Sequence, residues 1–179
     1  MISIDEMHRI MPNAGSRVEL NCDALNDAMV EFGISDNILR EAAFIAQVAE
    51  ESGELRYTHE IATGLAYEGR QDLGNIYPGD GVKYRGEGDL EITGRFNFTH
   101  YGELLGLDLV NHPEILQEPG PGARVAACFW QKNGLNELAD KEDFLLITRR
   151  INGGANGYPA RLAYYERAKT VLGGDHVWT

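Results

Sequence analysis

Apolar residues recur at intervals of three and four along most of the chain, the spacing of a single buried helix face. The pattern is densest after Ser35 and Asp36, two N-cap candidates, where Ile38, Leu39, Ala42, Ala43, Ile45, Ala46 and Ala49 follow at helical intervals. Phe44, Val48, Glu51 and Leu55 share a face at steps of four, three and four, so Glu51 occupies a place where an apolar residue is expected. Gly53 marks the end of this helix. Further helices are expected over residues 3–9, broken by Pro12-Asn13-Ala14-Gly15, and over 21–31. Others are expected over 97–105 with Gly106 as C-cap, and over 122–132 with Val125, Ala126, Phe129 and Trp130 inward. His112-Pro113 opens a short helical turn, Asp140 caps a helix reaching Arg150, and Pro159 starts a last helix that Gly173-Gly174 stops.

Between residues 64 and 94 the helical period fails and glycine is dense, with a strong turn signal at Pro78-Gly79-Asp80-Gly81. Loops and a short hairpin are expected there, and a connection this long inside a compact domain tends to be functional. The whole reads as a mainly α protein forming one catalytic domain over residues 1–179, without repeats or linkers. Its hydrophobic share of 43% and charged share of 25% suit a chain with its own core. No run approaches the roughly 20 apolar residues of a membrane span, so no stable membrane insertion is expected. The N-terminal residues lack the basic start and apolar run of a secretory signal, which places the chain in the cytoplasm of the cell that makes it. Cys22 and Cys128 show neither a CxxC pair nor Cys/His ligand spacing, so they read as small core side chains, with no metal or cofactor expected. A formal net charge of -12 argues against nucleic acid as a partner and also opposes an anionic polymer.

The chemistry starts from Glu51. An apolar helix face withholds water from a carboxyl and favours its protonated form, the form a general acid needs near neutral pH. The alternative is a helix-end glutamate turned into solvent. Glu60 lies nine residues on, beyond Gly53, where the chain can turn and bring a second carboxyl to face the first. Two opposed carboxyl groups are the apparatus of glycosidic cleavage: one protonates the leaving oxygen, the other holds a water or attacks the sugar. Thr93 and Asn97 follow the Gly-rich Tyr84-Arg85-Gly86-Glu87-Gly88, where a hydroxyl and an amide can hold a water or an acetamido group; the competing role for Asn97 is a helix cap. Asn152-Gly153-Gly154 offers a further polar loop. Tyr57, Tyr67, Tyr77, Tyr84, Phe96 and Tyr101 surround this region and can stack on sugars or fill a core.

These segments, taken in order, resemble glycoside hydrolase family 19, the chitinase-like group, in its bacteriophage endolysin branch. The resemblance rests on Ala43-Phe44-Ile45-Ala46-Gln47-Val48-Ala49-Glu50-Glu51-Ser52-Gly53, on Tyr84 to Gly88, and on Ile92-Thr93-Gly94-Arg95-Phe96-Asn97. It continues through Ala126-Ala127-Cys128-Phe129-Trp130, Gly134-Leu135-Asn136 and Ile147 to Gly154, and includes the opening Ile10-Met11-Pro12-Asn13-Ala14. It implies a lysozyme-like, two-lobed helical fold with a substrate cleft between the lobes. It implies inverting hydrolysis of β-1,4 bonds between N-acetylated aminosugars, with Glu51 as acid, Glu60 as base on a water and Thr93 helping to hold that water. Asn97, Asn152, Glu91 and Tyr84 are implied as substrate contacts, and Arg161 as the arginine that meets the acid. The chain departs from the family pattern at Glu50, usually His, and at Glu87, Asp89 and Glu91, usually Arg, an apolar residue or Pro, and Gln. Like charges around one cleft favour protonated carboxyls, which implies activity displaced toward lower pH or a weakened, sugar-binding relative. The role implied is lysis of a bacterial host through its peptidoglycan by a monomer with no wall-binding module. A separate membrane-pore protein would release it to the periplasm. The alternative is a chitinase acting on poly-N-acetylglucosamine.

Overall fold

A computed structural model describes residues 1–35 and 37–174. Among these, nine α-helices carry the fold: α1 Ile4–Ile10, α2 Arg17–Glu31, α3 Ile38–Glu51, α4 Asp80–Lys83, α5 Arg95–Leu105, α6 Pro119–Lys132, α7 Leu135–Ala139, α8 Phe144–Asn152 and α9 Tyr158–Gly173. The expectation of a mainly helical protein holds. No strand occurs among the described residues, and isolated antiparallel bridges, His59 with Glu87 and Glu87 with Ile92, stand where a short hairpin was expected.

Helix α3 is the centre of the molecule. Every residue from Ala42 to Ala49 is buried, and even Gln47 is fully enclosed. Phe44 meets Trp130 of α6 edge-on at 5.5 Å between ring centroids, a favoured aromatic geometry. Helix α9 packs along α3, and α2 packs along α6. The cap of α3 is Asn37, whose side chain accepts from the backbone N–H groups of Leu39 and Arg40. It is not Ser35, and Asp36 lies outside the described residues. At the N-terminus, Ser3 and Glu6 form a reciprocal capping box on α1. The Asn26 side chain bonds both the N–H and the carbonyl of Ile2, docking the first residues on α2.

Several boundaries differ from the periodicity, each for a local reason. Helix α2 begins at Arg17, four residues early, because Val18 and Cys22 extend its buried face. Helix α6 begins at Pro119, since proline is tolerated where the first N–H has no helical partner. Residues 135–139 form α7, which was not expected, and Asp140 follows it instead of capping α8. Asp140 pairs with Arg40 at 2.6 Å, and the cap of α8 is Asp143, which accepts from Leu146 N–H. The glycine-rich section holds α4 and two 3-10 turns, Leu65–Tyr67 and Gln71–Leu73. Its anchor is the ion pair of Arg95 with the buried Asp80, 2.6 Å long, the guanidinium lying 4.8 Å from the centroids of both Tyr77 and Tyr84. Cys22 and Cys128 are both buried free thiols.

Candidate active site

The last turn of α3 delivers Glu51 to the edge of the core, its side chain only 12% exposed. It does not stand alone there. Arg161, on α9 and 3% exposed, places Nη2 2.7 Å from Glu51 Oε1. The same guanidinium donates from Nη1 to Gln47 Oε1 at 2.6 Å and from Nε to the Asn156 carbonyl at 3.2 Å. A buried guanidinium with three acceptors in fixed directions is an orienting device, because its planar fork leaves the carboxyl few alternatives.

Beyond α3 the backbone turns sharply. Gly53, Glu54 and Leu55 all adopt positive φ, at 56°, 59° and 62°. Glycine accepts this freely, whereas Glu54 and Leu55 must be held there by their surroundings. Leu55 is buried, and the Glu54 carboxylate accepts from the backbone and side chain of Asn13 and from the Tyr164 hydroxyl, the last at 2.7 Å. Beyond this turn the chain reaches Glu60, and both of its carboxylate oxygens are engaged. Oε1 accepts from the Tyr67 hydroxyl at 3.0 Å, and Oε2 from the Gly86 N–H at 3.2 Å. The Glu60 N–H in turn donates to the Gly86 carbonyl at 2.8 Å. A methyl on Gly86 would lie 3.1 Å from Glu91 Cβ and 3.3 Å from Glu60 Cβ, so a larger residue there would press on both glutamates.

Glu91 links the two sides. Burial first, then the charges of Glu51 and Glu60, push its carboxyl up to about 7, with Arg161 pulling the other way. One half-buried side chain thus feels both candidate catalytic carboxylates and the arginine at once. The Thr93 hydroxyl donates to the Glu91 carbonyl at 2.9 Å, and the Asn97 amide donates to the Thr93 carbonyl at 2.8 Å. Asn97 is therefore a brace inside the first turn of α5, whose N-cap position is Gly94, and not a cap itself. Asn152 ends α8 with its Oδ1 buried and without a hydrogen-bond partner among the described residues.

No family model matches the chain. It is 29% identical to a glycosyl hydrolase family 19 domain-containing protein of Haemophilus influenzae, the match covering 98% of both chains. It is 37% and 34% identical to two endochitinases of Arabidopsis thaliana over 66% and 74% of its own length, while spanning under half of theirs, 42% and 47%. Along its whole length the chain is similar to glycoside hydrolase family 19. Among solved structures, a bacterial family 19 chitinase superposes with a TM-score of 0.81 at 24% identity, covering 97% of this chain and 96% of that one. A family 19 class IV chitinase from Zea mays gives 0.68 at 26% identity, covering 85% and 79%. The fold is the chitinase fold, and the enzyme is a chitinase-like glycoside hydrolase.

Against this family frame, one expected substrate contact is corrected. Tyr84 is fully buried: its ring lies 5.2 Å from Phe98 and its hydroxyl donates to the Val110 carbonyl at 2.9 Å. It is part of the core and has no face to offer a sugar. Tyr101 is likewise core, whereas Tyr57, Tyr77 and Phe96 remain exposed. Of the acidic departures, Glu87 and Asp89 are buried, and Glu50 and Glu91 are half-buried. Burial pushes Glu87 up to about 7 against the pull of Gln117 and Arg85. Burial alone does the same to Asp89, whose Oδ2 has no partner. No group of three or more potential ligands for a metal ion occurs among the described residues. The sequence reading gave no role to Gln47 or Glu54, and took Tyr67 only as an aromatic able to stack on a sugar or fill a core. A glutamine on the inward face of α3 and a glutamate just past a glycine were the available signals.

Proposed function

We propose that this enzyme hydrolyses β-1,4 bonds in a polymer of N-acetylated aminosugars with inversion at the anomeric carbon. The observation that supports the reading is Glu91, whose carboxyl feels the charges of both Glu51 and Glu60, each of which is held by its own donors. In the reaction Glu51 gives its proton to the glycosidic oxygen as the bond from that oxygen to C1 breaks. A water on the far side, held by Glu60 and Thr93, forms the new bond to C1 and loses its proton to Glu60. The Arg161 guanidinium then faces a newly formed carboxylate on Glu51, where charge appears as the bond breaks. The unpaired Oδ1 of Asn152 is suited to accept from a sugar amide or hydroxyl, and Asn97 keeps its amide oxygen for the same task.

We take peptidoglycan as the polymer, in an endolysin role. Support comes from the ordered motifs that resemble phage endolysins and from a bacterial relative matched over its full length. The enzyme would reach the periplasm as a monomer once a separate pore protein has opened the membrane. Chitin is the second reading, favoured by relatives named endochitinases and by the carboxyl-lined cleft, which suits a neutral glycan better than an anionic one. Incubation with isolated bacterial sacculi and, separately, with chitin oligomers, followed by reducing-end release, separates the two. Release from sacculi that disappears in Glu51→Gln supports the endolysin reading, and release from chitin alone supports the second. Tight sugar binding without release from either polymer removes hydrolysis as the function.

A further inference from the structure

Behind the candidate acid runs a buried polar chain that no hydrolytic step uses. Gln47 sits on α3 one turn before Glu51 and has no exposed surface. Its Oε1 accepts from Arg161 Nη1 at 2.6 Å, and its Nε2 donates to Thr148 Oγ1 at 2.9 Å. The Thr148 hydroxyl, itself fully buried, donates to the Phe144 carbonyl of α8 at 3.0 Å. Polarity along the chain is fixed from end to end. Because the hydroxyl proton is committed to Phe144, Thr148 can only accept from Gln47, so the Gln47 amide must present its oxygen to Arg161. With the amide reversed, two donors would face each other across 2.6 Å.

We infer that Gln47 and Thr148 are positioning residues that hold Arg161, and through it Glu51, in catalytic orientation, an inference that rests on the proposed hydrolase reading. The chain crosses three helices, α8, α3 and α9, and reaches the carboxylate through a guanidinium whose other donor, Nε, is taken by Asn156. It also couples two parts of the site. Thr148 lies one helical turn before Asn152, the residue proposed above as a substrate contact. Burial makes the link strict: with no water to satisfy a loose amide, removing one member disturbs the next. An aliphatic residue at either position would pack as well in such a core, so packing does not account for the amide and hydroxyl found there.

The test is Thr148→Val, which keeps the shape and removes the hydroxyl, beside Thr148→Ser, which restores it. Gln47→Met reads the same link from its other end should Thr148→Val fold poorly. Two readouts are taken. Nitrogen-15 NMR of the Arg161 guanidinium protons measures how firmly the arginine is held, without reference to activity. Steady-state kinetics on the polymer that the wild type cleaves gives kcat and KM. Arg161 exchange should accelerate in Thr148→Val and Gln47→Met, kcat should fall roughly 10- to 100-fold with KM little changed, and Thr148→Ser should restore both. Folded variants with wild-type exchange, or with faster exchange but wild-type kcat, overturn the inference. A wild type that cleaves no polymer would sink the hydrolase reading and the catalytic half of this one. Unchanged Arg161 exchange in an active enzyme would sink this inference alone.

Discussion

Replacing Asp89 with asparagine isolates the least hydrated carboxyl of the acidic loop. Burial raises Asp89 from 3.8 to about 7, and its Oδ2 has no partner among the described residues. Between those values the folded chain keeps a proton that the unfolded chain has lost, so stability must fall as pH rises from about 4 to about 7 and then level off. A rise from 3.8 to about 7 is worth about 4 kcal/mol at 1.4 kcal/mol per pH unit. Relaxation and water entry around an ionised group reduce this to about 2–4 kcal/mol. Asparagine is neutral at every pH and nearly isosteric. Thermal and urea unfolding of wild type and Asp89→Asn at about pH 4.5 should therefore differ by only about 1 kcal/mol, since the folded side chain is still protonated and the unfolded carboxyl ionises only just below that pH. At about pH 8.5 the variant should be the more stable by about 2–4 kcal/mol, or roughly 5–15 °C in melting temperature for a chain of this size. A variant no more stable than wild type at alkaline pH would show that the carboxylate finds water or a donor, and the burial argument would be wrong.

Glu91, pushed up to about 7 by burial and by Glu51 and Glu60, should control substrate affinity by its charge. KM should rise for the wild type as pH climbs past 7, whereas Glu91→Gln should show a flatter KM profile; parallel profiles would remove Glu91 from the cleft's electrostatics. Tyr67→Phe leaves Glu60 Oε1 without its phenol donor and should lower kcat about tenfold, the equivalent of a hydrogen bond to a charged group, with little change in melting. An unchanged kcat would make that hydroxyl ornamental. Arg161→Met strands Glu51 and the Gln47 carbonyl together and should destabilise the fold by about 3–5 kcal/mol, partly recovered by adding Glu51→Gln. Unfolding measurements that find no recovery would mean that the two groups are not energetically coupled.

The main helices were legible because their buried faces are long and regular, and α3 most of all, where one carboxyl interrupts an otherwise apolar stripe. What failed was local chemistry that competes with periodicity. Asp140 reads as a cap until Arg40, one hundred residues away in sequence, claims its carboxylate. Five residues of α7 are too few to show a period. Tyr84 illustrates a general ambiguity, since an aromatic among glycines is equally suited to a sugar platform or a small core, and only the Val110 carbonyl decides. Of the site, Glu51 announced itself through its position, but its partner lies 110 positions along the chain, and only the family resemblance linked them. The link through Gln47 and Thr148 was invisible because an amide on an apolar face carries no signal of what it will meet.

The left-handed turn that follows α3 ties together parts of the chain that are far apart in order. Asn13, near the beginning, and Tyr164, on the final helix, both grip Glu54, three residues past the candidate acid. The two extremities act as a clasp on the segment that steers Glu60 into place. Shortening the enzyme from either side, or grafting its central stretch onto another scaffold, would open that clasp and let the opposed carboxyls drift apart before any residue of the cleft had been touched.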